Sequence, residues 1–128
     1  MKLGYVIVYV TDVAATVAFY ERAFGLKRRF VNESGQYAEM ETGAVALAFA
    51  QEDFAASNGL VFRKNRVAEP AAGVEVGLVS AHVEADFKKA VDAGAVSVAA
   101  PMKKPWGQTV SYVRDCNGVL VEICSAMG

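Results

Sequence analysis

LGYVIVYVTDVAATVAFYERAFG, residues 3–25, is the stretch that decides the fold. Residues 3–10 are β-branched and aromatic and are apolar on both faces, which is typical of a short strand covered on both sides. Thr11-Asp12 then offers side-chain oxygens that can cap a helix. In residues 13–24 apolar side chains recur at three- and four-residue spacing, which predicts an amphipathic helix ending at Gly25.

Three more strands are predicted in the first half of the chain. They lie near residues 26–33, 36–41 and 44–50, and the turn signals Ser34-Gly35 and Thr42-Gly43 separate them. The first half is therefore predicted to have the order βαβββ.

The second half of the sequence repeats this order, which is the signature of an internal repeat. A strand at 74–79 is followed by His82 at a helix cap position, a helix over 83–93 and Gly94. Three further strands are predicted near 95–100, 108–114 and 119–124. We therefore predict an α+β fold of one domain with two βαβββ modules, about 1–51 and about 73–128, and a connector over about 52–72.

Composition excludes several classes of protein. The 128 residues are 54% hydrophobic and carry 13 basic and 14 acidic side chains, so the basic surface of a nucleic-acid-binding protein is not expected. The sequence shows neither a signal peptide nor an uninterrupted membrane span. Cys116 and Cys124 form no CxxC or CxxH motif, and two reduced thiols in a cytoplasmic protein are expected.

Several short motifs together resemble the vicinal-oxygen-chelate superfamily, which includes glyoxalases, bleomycin-resistance proteins and dioxygenases. They are Val10-Thr11-Asp12, Phe19-Tyr20-Glu21, Phe24-Gly25-Leu26, Pro105-Trp106-Gly107-Gln108 and Arg114-Asp115-Cys116-Asn117-Gly118 running into Val119-Leu120-Val121-Glu122. The resemblance implies the same fold, in which the two βαβββ modules form a half-barrel sheet. It also implies a homodimer in which each concave half-barrel binds one small-molecule ligand.

The resemblance further implies where a metal would bind. In metal enzymes of the superfamily, the first and last strands of each module supply the ligands. Those positions correspond here to Tyr5, Leu47, Glu75 and Glu122, of which only the two glutamates are plausible ligands. The single histidine, His82, is expected at a helix cap. We therefore expect no bound transition metal and no cofactor.

Strand alternation predicts an apolar, tyrosine-rich groove that carries one or two acidic groups. The expected ligand-binding residues are Tyr5, Ile7, Leu47, Phe49, Glu75, Trp106, Tyr112 and Glu122. Among them Glu122 is the most informative, because a plain apolar strand rarely carries a lone carboxylate. Trp106, on a Pro-Trp-Gly lip, is placed to clamp a ligand or a dimer partner.

Three functions remain open on the sequence. The first is a metal-independent protein that binds a small aromatic compound, with or without a positive charge. The alternative is a metal-dependent lyase, isomerase or dioxygenase that uses Glu75 and Glu122; a metal-free enzyme with Glu122 as general base is a variant of it. The third is an accessory or oligomerisation module that has lost its ligand.

Overall fold

The computed structural model describes residues 1–127 and confirms the predicted α+β architecture. In chain order the elements are β1 (Tyr5–Val10), α1 (Val13–Phe24), β2 (Lys27–Val31), β3 (Tyr37–Glu41), β4 (Ala46–Gln51), α2 (Glu52–Ala56), β5 (Glu75–Val79), α3 (Val83–Asp92), β6 (Val96–Lys103), β7 (Thr109–Arg114) and β8 (Leu120–Cys124). The chain divides into two compact units, the first spanning Met1–Asn65 and the second beginning at Arg66.

Each unit contains one four-stranded mixed sheet. The strand orders are β1-β4-β3-β2 and β5-β8-β7-β6. In both sheets the first strand of the module pairs in parallel with the last, and the other neighbours are antiparallel. The two modules therefore have the same topology, as the repeat in the sequence predicts.

The core of the first unit lies between α1 and one face of its sheet. Asp12 caps the helix, since its carboxylate accepts a hydrogen bond from the Ala15 backbone nitrogen at 2.9 Å. Gly25 ends it with φ of 67°, a conformation that favours glycine. The ring of Tyr20 packs on that of Phe49 with centroids 4.8 Å apart, and both side chains are fully buried. Both predicted helix ends are thus confirmed.

The second unit is built in the same way around α3. His82 is the N-cap residue, as predicted, but its side chain makes no capping hydrogen bond. Instead, the Ser80 hydroxyl makes two hydrogen bonds at this end of the helix. Its oxygen accepts from the His82 backbone nitrogen at 2.8 Å, and the hydroxyl donates to the Asp86 carboxylate. The buried apolar residues of this unit include Val83, Ala90, Val113, Val121 and Ile123.

Two expectations need correction. The first strand is not covered on both faces, because β1 is an edge strand whose residues Tyr5, Val6 and Ile7 are 57, 40 and 44% exposed. The connector also contains a short helix, α2, which was not predicted. The side chain of Gln51 caps α2 by accepting from the Phe54 backbone nitrogen at 2.8 Å.

Candidate functional site

The face of the second sheet opposite α3 carries a cluster of polar side chains. The strand registers align Gly77 of β5, Glu122 of β8 and Tyr112 of β7 in one row across the sheet. Glu75 and Cys124 lie two residues from this row on their strands, so they point to the same side. The prediction that these residues share one face is confirmed.

The two carboxyl groups of this cluster interact directly. Burial, the negative charge of Glu122 and a hydrogen bond between the two carboxyl groups together raise the pKa of Glu75. Two carboxylates at close range cannot both be charged without a cost, so Glu75 retains its proton to higher pH than an isolated glutamate does.

Two weaker acids complete the cluster. Burial raises the pKa of the Tyr112 phenol, and the charges of Glu122 and Glu75 raise it further. Burial and a hydrogen bond to Glu122 raise the pKa of the Cys124 thiol to about 11. Both groups therefore stay protonated at neutral pH, and the negative charge of the cluster resides on its carboxyl pair.

Trp106 lies in the turn between β6 and β7, with its side chain 63% exposed. The indole N–H donates to Gln108 Oε1 at 2.9 Å, and Gln108 Nε2 donates to the Ser125 carbonyl at 2.8 Å. Gln108 also lies close enough to the Cys124 thiol to lower its pKa, against the larger effects of burial and Glu122. The Trp106 ring is therefore held by a residue that also contacts the acidic cluster, whereas its contact with a ligand stays a prediction.

The matching face of the first sheet differs from the predicted one, because the two turn glycines lie at different distances from the strand that follows: Gly43 is three residues before β4 and Gly118 is two residues before β8. Residues 42–45 join β3 to β4, whereas residues 115–119, one residue more, join β7 to β8. Counting from the turn glycine therefore places Leu47 level with Glu122, but the registers place Ala48 there. A shift of one residue moves a strand's side chains to the opposite face of the sheet.

The prediction that Leu47 and Phe49 line the concave face is therefore wrong. Phe49 packs on Tyr20 of α1, and Leu47 is paired in register with Val6 and Met40 on the same helix-facing side. Both are buried in the core. The residues of β4 that do face away from α1 are three alanines, Ala46, Ala48 and Ala50.

Tyr5 and Ile7 lie on this same face of the first sheet, as predicted, and two residues that the sequence analysis missed join them. Tyr37 and Glu39 of β3 stand opposite Ala50 and Ala48. The Tyr37 hydroxyl donates to Glu39 Oε2 at 2.8 Å. Alternation within the segment Tyr-Ala-Glu-Met-Glu, residues 37–41, is the signal that could have found them.

Glu39 is only 7% exposed, and its second carboxylate oxygen pairs with Arg29 Nη1 at 3.3 Å. Burial and the hydrogen bond to Glu39 raise the pKa of Tyr37 to about 12. Tyr37 is therefore a neutral phenol whose proton is committed to Glu39.

The residues present do not fit a transition-metal site. Within residues 1–127, no group of three or more His, Cys, Asp or Glu side chains is arranged to hold a metal ion. Glu75 and Glu122 provide two carboxyl groups, while the matching positions of the first unit are Tyr5 and Ala48. His82 lies exposed at the start of α3. Zinc, iron and manganese sites in proteins use three or four good donors.

The chain was compared with known families and structures. The family model described as "Glyoxalase-like domain" matches residues 3–128. No curated protein was found that matches the chain. No helix in residues 1–127 combines the length and hydrophobicity that crossing a membrane requires.

Many solved structures match this fold, and the three described here are distant in sequence. A glyoxalase-related enzyme from Fulvimarina pelagi is 20% identical, with a TM-score of 0.79 over 98% of this chain and 88% of that one. TioX from Micromonospora sp. ML1 is 23% identical, with a TM-score of 0.72 over 98% of both chains. A glyoxalase/bleomycin resistance protein/dioxygenase family enzyme from Burkholderia phytofirmans PsJN is 18% identical, with a TM-score of 0.75 over 99% of this chain and 100% of that one. At such identities the likeness concerns the fold.

Proposed function

We propose that this chain, which belongs to the glyoxalase-like domain family, binds a small aromatic cation on the concave face of its second unit without a transition metal. The observation that carries the proposal is the position of Glu122. It lies half-buried in the middle of an apolar strand, between Gly77 and Tyr112 and beside Glu75. Such a position is costly for a carboxylate unless something positive compensates it.

The charge of the cluster favours a cationic ligand over an anionic one. Tyr112 and Cys124 are neutral, and the carboxyl pair is negative. A ligand cation that displaces water from the pair gains a charge-assisted hydrogen bond, which is about twice as strong as a neutral one. An anion would meet the same negative charge.

The shape of the surface beside Glu122 favours a flat ligand. A methyl group added at Gly77 would meet no atom within 4 Å, so the sheet is open directly next to Glu122. The Tyr112 ring stands on the other side of Glu122 and offers an aromatic face. An aromatic face attracts a cation by about 0.5–2 kcal/mol, depending on how far the pair is desolvated.

We also propose that the protein acts as a homodimer. Apolar side chains at the start of β1, at both ends of β5 and on β6 are exposed, with Tyr5, Val74, Val79, Val98 and Met102 between 52 and 70% accessible. Exposed apolar surface of this kind is commonly covered by a partner. An isologous twofold contact between identical chains is the usual way to cover it.

The proposal is tested with a panel of aromatic compounds in charged and neutral pairs, such as benzylamine with benzyl alcohol, followed by isothermal calorimetry. We expect a cationic member to bind more tightly than its neutral partner. Glu122→Gln should remove that preference, weakening the cation by about 1–3 kcal/mol while keeping the shape of the side chain. Glu84→Gln, at an exposed position on α3, is the matched control and should change nothing.

A second variant tests the location. Gly77→Val fills the open space beside Glu122 and should abolish binding. Its far-ultraviolet circular dichroism should match the wild type, because a Cβ at this position meets no atom within 4 Å. Equal affinity for both members of every pair, or a Glu122→Gln variant with unchanged affinity, would refute the proposal. Elemental analysis that finds close to one tightly bound transition metal per chain would instead favour the metal-dependent lyase, isomerase or dioxygenase.

A further inference from the structure

The first unit contains a pocket of about 200 Å³ between its sheet and α2. Its floor is Ala50, and the strand registers place Tyr9 of β1 on one side of this alanine and Tyr37 of β3 on the other. The remaining lining residues are Ile7, Phe54, Ala55 and Asn58. The second unit has no helix in the position of α2, so this pocket belongs to the first module alone within the described residues.

The size of the pocket suits one aromatic ring with a small substituent. The strands β1 and β3, which lie on either side of β4, are two strand spacings apart, about 9.6 Å. A ligand ring can therefore lie over Ala50 between Tyr9 and Tyr37. An apolar cavity of about 150 Å³ is known to hold benzene, and the pocket is somewhat larger. Phe54 and Ile7 at its rim are each 44% exposed, which leaves a route for entry.

The hydrogen bonding of Tyr37 determines which polar group a ligand of the pocket must carry. The Tyr37 proton points to Glu39, whose other oxygen is held by Arg29. The Tyr37 oxygen can therefore only accept a further hydrogen bond. Because the hydroxyl donates to a carboxylate, and hydrogen bonds in a chain polarise each other, this oxygen is a stronger acceptor than that of a free phenol. A ligand that meets this oxygen must bring a donor. A carboxylate such as benzoate brings only acceptors.

We propose that this pocket is a second small-molecule site, which takes a neutral aromatic ring bearing one hydrogen-bond donor, as phenol and indole do. The donor meets the Tyr37 oxygen and the ring lies on Ala50 against Tyr9 and Phe54. The site is independent of the cation site on the second unit, since none of its lining residues comes from that unit.

The test is a titration of uniformly ¹⁵N-labelled protein with phenol, anisole and benzoate, followed by amide chemical shifts. We expect phenol to shift the amides of Ala50, Phe54, Ala55 and Asn58 in a saturable way. Phenol should bind about three- to tenfold more tightly than anisole, whose methyl group removes the donor, as expected for one neutral hydrogen bond. Benzoate should be the weakest of the three.

Two variants separate the hydrogen bond from the cavity. Tyr37→Phe keeps the ring and removes the oxygen, so the difference between phenol and anisole should vanish. Phe54→Ala removes one wall at a partly exposed position and should weaken both ligands alike. Tyr112→Phe, which deletes a phenol hydroxyl from the second unit, localises the effect and should keep the preference for phenol.

Each outcome decides the matter. Equal affinity for phenol and anisole in the wild type, or a preference that survives Tyr37→Phe, would overturn the proposal. So would phenol shifts confined to residues 66–127, or no saturable shift in the first unit. None of these results bears on the cation site, which is tested through Glu122 with different ligands.

Discussion

Replacing Gly118 by alanine should destabilise the protein strongly, and the structure allows the cost to be worked out. Gly118 is buried in the turn between β7 and β8 with φ of +85°, a region that side-chain-bearing residues rarely adopt. An alanine there costs about 1–2 kcal/mol for its backbone conformation alone. Its Cβ would also lie 2.6 Å from both the Arg66 carbonyl oxygen and Arg114 Nη2.

The clash matters because Arg114 ties the beginning of the second unit to its sheet. Its guanidinium donates to the carbonyl oxygens of Gly118 at 2.9 Å, Arg66 at 3.2 Å, Val67 at 3.2 Å and Glu69 at 2.6 Å. Moving Arg114 or the chain at Arg66 aside sacrifices some of these bonds, and a hydrogen bond to a charged group contributes about 1.5–3 kcal/mol. We therefore expect Gly118→Ala to lower the free energy of unfolding by about 3–5 kcal/mol.

Urea denaturation followed by far-ultraviolet circular dichroism measures this loss, and Gly107→Ala is the matched control. Gly107 also has a positive φ, +95°, and lies in the same unit, but an added methyl group there meets nothing within 4 Å. It should therefore show the backbone cost of about 1–2 kcal/mol without the clash. If the two variants lose the same stability, the reasoning about Arg114 and Arg66 is refuted.

Three further predictions concern chemistry, pH and assembly. At pH 8 a thiol-alkylating reagent should label the exposed Cys116 and spare Cys124, whose thiol is buried with its pKa raised to about 11; peptide mass spectrometry gives the site, and rapid labelling of Cys124 would contradict its burial. Because the pKa of Glu75 is raised above 4.5 in the folded protein, the folded state holds this proton more tightly, so stability should fall as the pH rises through the raised pKa. Chemical denaturation between pH 4 and pH 8 should show this fall in the wild type and a smaller one in Glu75→Gln; equal slopes would argue against the carboxyl pair. Sedimentation velocity at micromolar concentration should give a dimer, and a stable monomer would remove the support for an interface.

Local signals in the sequence predicted the local structure well. The Asp12 cap, the Gly25 end of α1 and the turn before β8 depend on a few neighbouring residues, and each is where the sequence placed it. The grouping of Glu75, Tyr112 and Glu122 on one face also followed from strand alternation.

Features that depend on distant partners were missed. The side of the sheet that each residue of β4 faces is set by the register of β4 with its neighbours. A count from the turn glycines could not reveal this register, because Gly43 lies one residue farther from its strand than Gly118 does. Glu39 was overlooked because its burial depends on Arg29, ten residues earlier in the chain. The helix α2, with five residues, is too short to give a periodic pattern.

The shorter turn of the first module has a consequence for how such proteins can change. An insertion or deletion of one residue in the turn at 42–45 that shifted the register of β4 by one, instead of being absorbed by the turn, would exchange the whole set of side chains that β4 presents to each side. The three alanines would then face α1, leaving voids in the core, and Leu47 and Phe49 would fill the hollow where Ala50 now forms a floor. A single-codon insertion could thus close the pocket over Ala50, but only with compensating changes in α1. Alignments of this chain with its relatives should therefore be anchored on strand pairing rather than on the turn glycines.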